Sequence, residues 1–408
     1  MKENLIILLS LLCTCAIMIN AYAFNFTVIC MDPLQDASHN TSFLFTPYEE
    51  NLIFSAMSVA TIVMAPAVPI VDYVNRSESF NNEYVQGLGI NLVMIAQTSI
   101  PRLWGKPENQ AWILAIMSLN DEIAPILAMV SSSLFCTSSF GWPGMYYLYG
   151  MATVILFLIF MVVYPKDRRK IHPSQSTTRV VPETTSSQPR IPYKSIFTSP
   201  SIWGFWSASL GFVAATEVVL TYGPTYINKT LHFNVTQTGF LSALPFLLSI
   251  GAKLLGGTFL DKVTCIGEHQ KVLVFTTFAQ GTTSLGFLVL ALFSKEHVGV
   301  AQVVFTTTTV LSGMNMLGRL HGCQVVSQQY SHIVATFIVL TTGVSSIIYR
   351  HLIVALTPNY AADEWAVVFY GVVIIALVSQ LIMVLITKVE PAPWTKTEQS
   401  EELTVKEA

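Results

Sequence analysis

The sequence predicts an all-α polytopic membrane protein, and three observations carry that reading. Apolar side chains make up 52% of the 408 residues and charged ones only 11%, less than half of the ~25% charge usual in soluble domains. Eleven runs reach the ~20 apolar residues a helix needs to cross hydrocarbon, where lipid offers no partner to free backbone groups. Six of the eleven contain no Asp, Glu, Lys, Arg or His.

The runs fall near 5–24, 52–71, 85–104, 111–134 and 145–164, then 203–222, 238–259, 272–293, 298–317, 332–354 and 365–387. The first also has features of a signal peptide: Lys2, an apolar core and Ala21-Tyr22-Ala23. Its apolar stretch continues to Met31, longer than a signal core needs, so it is kept as a helix. Residues 165–199 carry seven Lys/Arg among Ser, Thr and Pro, a composition that buries no core and reads as a linker. The expected organisation is an N-terminal helical bundle (1–164), a basic linker (165–199), a six-helix C-terminal bundle (200–387) and a tail (388–408).

Basic loops stay cytoplasmic. With the linker inside, its seven basic residues are joined by Lys262, Lys271, Arg319, Lys388, Lys396 and Lys406, thirteen against Lys229, Lys295 and Arg350 on the opposite face. The linker and C-terminus are therefore expected in the cytoplasm of a multi-pass protein of the plasma membrane or a vesicle. Five spans before that linker would put the N-terminus outside, which leaves parity anomalous.

A net charge of −3 with 21 Lys+Arg gives no basic groove, so nucleic acid is not an expected partner. Six cysteines without a CxxC pair or a Cys/His cluster speak against a zinc site or a disulfide framework. No phosphate-binding glycine loop or nucleophile elbow occurs, so no enzyme activity, cofactor or metal is expected. The expected partners are the lipid bilayer and a small solute moved with H⁺ or Na⁺.

Local sequence adds a resemblance. Gly239 to Pro245 after Pro224-Thr225-Tyr226, and Gly257 to Lys262, resemble the eighth helix and following turn of the anion:cation symporter family. That family, the group of sodium/phosphate cotransporters, sialin and vesicular glutamate transporters, lies within the major facilitator superfamily. Asp363-Glu364-Trp365 with Val368-Phe369, and Gly141-Trp142 with Tyr147 and Gly150, resemble its entries to the last and sixth helices. Gln86-Gly87-Leu88, Trp104 and Pro107-Glu108 match its fourth helix, and 52–71 through Arg76 its second. No third span fits between 77 and 83. The resemblance implies two six-helix bundles, of which five plus six spans are present. Restoring the third would put the N-terminus inside.

An ionisable group inside a span costs about 2.5–3.5 kcal/mol on insertion scales and is a functional candidate by default. The mid-span set is Asp121, Glu122, Glu217 and Lys253. Asp121 and Glu122 point ~100° apart on a helix, so one of them at most faces a given neighbour squarely. Either, and Glu217, could carry a coupling proton. By the resemblance, the fifth and eighth helices meet across the bundles, so Lys253 could pair with Asp121 or Glu122 as a gate. Asp121 lies about 16 Å from its cytoplasmic end and Lys253 about 9 Å from its own. That offset argues against a tight pair. Arg319, Arg350 and His351 lie near span ends and are expected to reach water.

The resemblance also implies arginines where this chain has Ala23, Glu83 and Phe212, and an acidic residue where it has Ile90. The family's anionic substrates therefore do not transfer residue by residue. A transport-inactive sensor or interaction protein is the alternative function. Asn40, Asn228 and Asn234 open glycosylation sequons in loops that the family orientation places on the non-cytoplasmic face.

Overall fold

The computed structural model describes residues 2–31, 47–64, 116–117, 119–163, 192–262, 266–293 and 298–395. The predicted span at 85–104, most of the linker, Asn40 and the chain beyond 395 lie outside the described residues. The long helices are α1 (Lys2–Thr27), α2 (Pro47–Met64), α3 (Asn120–Cys136), α4 (Gly141–Val163) and α5 (Pro200–Thr216). They continue with α6 (Val235–Lys262), α7 (Glu268–Phe293), α8 (Val298–Ser327), α9 (Ser331–Leu356) and α10 (Ala362–Ile386). Eight of the described helices are long and apolar enough to cross a membrane. No strand occurs among the described residues.

Local chemistry sets several helix ends. Pro200 opens α5 at a position where its missing N–H costs nothing. Asn234 starts α6 by accepting the Gln237 N–H at 2.8 Å. The Glu364 carboxylate accepts the Ala361 and Asn359 N–H groups (3.1 and 3.0 Å) before α10.

The helices form two bundles. In the first, α1 packs on α3 and α4, where Ala23, Ala124 and Ala128 let the backbones approach around Met18, Ile19 and Met145. In the second, α5 packs on α10 and α8, and α7 lies between α8 and α10. The outward surfaces remain apolar, as on α4, where Val162 is 85% exposed and Met151 63%. Such a surface is stable against lipid, not water.

Two helix pairs join the bundles, α3 with α6 and α2 with α9. Gly239 of α6 sits so close to Ser133 and the Met129 carbonyl of α3 that a Cβ there would collide. Phe26, Met129 and Ala243 fill the adjoining space. At the α2 end, Phe24, Phe54 and Tyr222 make edge-on ring contacts at 5.1 and 5.5 Å. Val28, Ile29 and Phe54 complete an apolar seal against Val218, Val219 and Tyr222.

Several expectations are corrected. Cys30 and Cys136 form a disulfide, with Cα atoms 5.9 Å apart, although the cysteine spacing spoke against one. The partners are 106 residues apart, so sequence proximity carries no trace of the pairing, which exists only because α1 and α3 end side by side. That bond also fixes direction. The Cys30 end of α1 shares a face with the Cys136 end of α3, so Lys2 lies at the face where α4 ends and the linker leaves. Five-span parity placed it on the other. The first part of the tail packs on the bundle: Val389 and Ala392 are buried, Ser201 accepts the Lys388 N–H at 2.9 Å, and Ala392 N–H reaches the Val326 carbonyl. The span predicted at 298–317 runs on to Ser327.

Closing a loop this long stabilises by about 2–4 kcal/mol. Replacing Cys30 and Cys136 together by serine is therefore expected to lower the detergent-solubilised melting temperature by several degrees. The wild type should also migrate differently with and without reductant, and the variant should not.

Candidate functional site

The far end of α5, on the face opposite the linker, is shaped by Pro224. Proline has no N–H to offer the Leu220 carbonyl four residues back, and that carbonyl accepts Asn25 Nδ2 of α1 instead, at 3.1 Å. Around it the backbone opens into two π-helical turns, Glu217–Thr221 and Tyr226–Thr230, a feature that recurs at functional positions. Glu217 begins the first.

Glu217 is buried, and its partner is Arg350 of α9. Nε of Arg350 donates to Oε2 at 2.7 Å and Nη2 to Oε1 at 3.1 Å, the two-pronged geometry that suits guanidinium to carboxylate. Thr221 adds a hydrogen bond to Oε2 at 2.9 Å. The third guanidinium nitrogen, Nη1, donates across the bundle boundary to the Phe54 carbonyl of α2. One buried charge pair thus holds α5 to α9 and both to the other bundle. Farther out, the Tyr360 hydroxyl meets Glu50 of α2 at 3.1 Å. Arg350 was expected to reach water from a span end. It is 5% exposed, because α2 closes over it.

The second charge pair lies deeper. Lys253 Nζ forms a salt bridge with Glu122 Oε1, joining α6 to α3. Their side chains are 16% and 6% exposed. The depth offset foreseen from the sequence is spanned by the lysine stem, which lies against Gly313 of α8 at 3.6 Å from a would-be Cβ. Asp121, about 100° round the helix, is half-buried beside Asn120 and Glu122 takes the lysine. The four candidates therefore do not meet at one point. Glu122 and Lys253 form a tie between the bundles, Glu217 pairs within the second bundle with Arg350, a residue not singled out as a candidate, and Asp121 belongs to neither pair.

Arg319 too was expected at an edge. It is 7% exposed, held by Asn315 (2.9 Å) and Ser209 (2.6 Å), with its guanidinium 4.3 Å from the Phe212 ring centroid. Its burial follows from the ten further residues by which α8 outruns the predicted span. His351 remains exposed.

Of the glycosylation candidates, Asn228 donates Nδ2 to the Phe233 carbonyl at 2.8 Å, tying its loop with the atom a glycan would need. Asn234 is exposed, and among the described residues its side chain bonds through Oδ1. Glycosidase treatment of protein made in a glycosylating cell is expected to shift the wild type and Asn228→Gln, with Asn234→Gln losing a glycan.

Known proteins resemble this chain over most of its length. Residues 84–349 match the model of the Major Facilitator Superfamily. The human "Sodium-dependent phosphate transport protein 1" is 24% identical over 328 residues, covering 77% of this chain and 69% of that protein. Human "Sialin" is 24% identical over 322 residues, 76% of this chain and 64% of that one. Among solved structures, a D-xylose-proton symporter superposes with a TM-score of 0.69 at 12% identity, covering 94% of this chain and 97% of that one.

Proposed function

The chain belongs to the major facilitator superfamily, and on that premise we propose that it is a secondary active transporter of a small solute, an organic anion or phosphate, working by alternating access with H⁺ or Na⁺. The observation that carries this reading is that a buried ion pair stands at each junction between the bundles: Glu122–Lys253 bridges α3 and α6, and Glu217–Arg350, within the second bundle, reaches α2 through the Phe54 carbonyl. A static scaffold has no need of charges at that boundary, where apolar packing of the same volume is as stable or more so. Charges there make the boundary switchable.

Glu217 is the group proposed to couple. Ionised, it holds both prongs of Arg350, which in turn holds the Phe54 carbonyl of α2. A proton delivered to Glu217 removes the charge that fixes Arg350 and loosens α2 from α9, opening the far face. Lys253 and Glu122 form the deeper gate, parting as the bundles rock the other way. In this scheme residues 1–164 and 200–387 are the moving bodies. The 165–199 linker and the tail after 387 lie in the cytoplasm, and the far face is extracellular or luminal. The Cys30–Cys136 disulfide supports that orientation, since such bonds persist in oxidising compartments.

The similarity to sodium-dependent phosphate transport proteins motivates the choice of solutes to test. Purified protein in liposomes is expected to accumulate labelled phosphate or an organic anion under an imposed pH or Na⁺ gradient. Glu217→Gln should abolish the gradient-driven part. A wild type that moves neither solute nor protons above empty liposomes would overturn the reading. It would favour the transport-inactive alternative, for which Ala23, Ile90 and Phe212 speak, standing where carriers of this kind hold charges.

A further inference from the structure

Arg319 differs from the other buried cations of the spans in one respect. Lys253 and Arg350 each face a carboxylate. Among the described residues no carboxylate pairs with Arg319, although its side chain lies deep between α5, α7 and α8. Burying an uncompensated charge is costly, and the cost is normally met by a counter-charge or by neutralisation.

The neutral groups around it give no counter-charge, and their hydrogen bonds run in one direction only. A guanidinium can donate but not accept. Nε of Arg319 donates to Asn315 Oδ1 at 2.9 Å, so the Asn315 amide must present its NH₂ onward, and it donates to Gln280 Oε1 of α7. Gln280 in turn must present its own NH₂. That Nε2 is buried and has no acceptor among the described residues, and Gln280 as a whole is 2% exposed. At the other end Nη1 donates to the Ser209 hydroxyl, whose own proton is spent on the Phe205 carbonyl. Nη2 has no hydrogen-bond partner among the described residues. The network begins with a cation and ends on an unmet donor, with no acceptor left over at either end.

Both ends converge on one stretch of α5. The guanidinium lies over the Phe212 ring, and Gln280 Nε2 comes within 3.0 Å of where a Cβ on Gly211 would stand. Ser379 Oγ and the Ala376 Cα of α10 press on the same point, so glycine at 211 lets α5 and α10 pack closely beside this network. We infer that Arg319 and Gln280, beside Phe212, form a binding site for a compact anion: the carboxylate or phosphate of a transported solute, or free chloride. An anion there supplies the missing counter-charge and accepts from Arg319 Nη2 and Gln280 Nε2 together. The link to a transported solute rests on the transporter reading; anion binding itself does not.

Thermal unfolding of the detergent-purified full chain, titrated at constant ionic strength with sodium chloride, benzoate or phosphate, tests the site without any transport. The wild type is expected to gain stability saturably with at least one of the three. Arg319→Gln should weaken that anion's half-saturation at least tenfold, and Gln280→Leu should weaken it while leaving the protein folded. Saturation by chloride alone assigns the site to the free ion. Saturation by benzoate or phosphate with competition by chloride assigns it to the solute's charged group. A wild type whose melting temperature responds to none of the three overturns the inference, as does an Arg319→Gln or Gln280→Leu protein that responds like the wild type. If anions bind but nothing accumulates in liposomes, the site stands and the transport reading falls; if uptake proceeds while no anion binds, the reverse holds.

Discussion

Replacing Arg350 by alanine is expected to destabilise the protein by about 3–5 kcal/mol, the usual loss when one member of a buried ion pair is removed. The loss has two parts. The buried Glu217 carboxyl loses its guanidinium partner and keeps the Thr221 hydrogen bond, and the Phe54 carbonyl of α2 loses its donor. Glu217→Gln leaves a donor-acceptor side chain of the same size, so it should cost less stability but all gradient-driven uptake. The discriminating variant is the double change Glu217→Leu with Arg350→Met. Apolar partners of similar volume are expected to recover most of the melting temperature, because no charge remains to be desolvated. Transport should stay absent. If the double variant transports like the wild type, Glu217 and Arg350 are structural only and the coupling role is lost.

The second large effect concerns the deeper pair. Lys253→Glu places a third carboxylate beside Asp121 and Glu122, and Glu122→Lys sets two ammonium groups against each other. Each single change is expected to reduce uptake at least tenfold, about 1.4 kcal/mol or more of lost interaction by the standard conversion. Because the partners touch, the effects should not add. Glu122→Lys with Lys253→Glu is expected to return uptake to within a few-fold of wild type. Asp121→Lys with Lys253→Glu should not, since Asp121 faces another direction. Recovery by the Asp121 pair and failure of the Glu122 pair would reverse the assignment.

Much of the architecture was legible residue by residue. The ten long helices described all coincide with runs picked out by apolar length alone, because a span must satisfy its backbone internally whatever surrounds it. The mid-span charges stood out for the same reason, and the meeting of α3 with α6 followed from the resemblance. What could not be read were partners. Arg350 lies six residues from the end of α9, where sequence allows escape to water; only α2 folding across that end closes it in. Glu122 rather than Asp121 meets Lys253 because of helix rotation, a matter of ~100° that no spacing rule decides without the neighbour's position. A signal for the π-turn existed in Pro224 seven residues after Glu217, but it announced a break and not which side chain the break would aim.

That this chain lives in lipid, how its helices are spaced, and which charges are too costly to be incidental can all be read from the order of residues, since each depends on a local free energy of transfer. What those charges hold depends on how the helices pack. Cys30 found Cys136, Glu217 found Arg350, and Arg319 has no carboxylate beside it among the described residues, because pairing depends on where helices far apart in sequence come to lie. In a low-dielectric interior that placement, far more than residue type, sets whether a charge is a tie, a gate or an unmet demand for an anion.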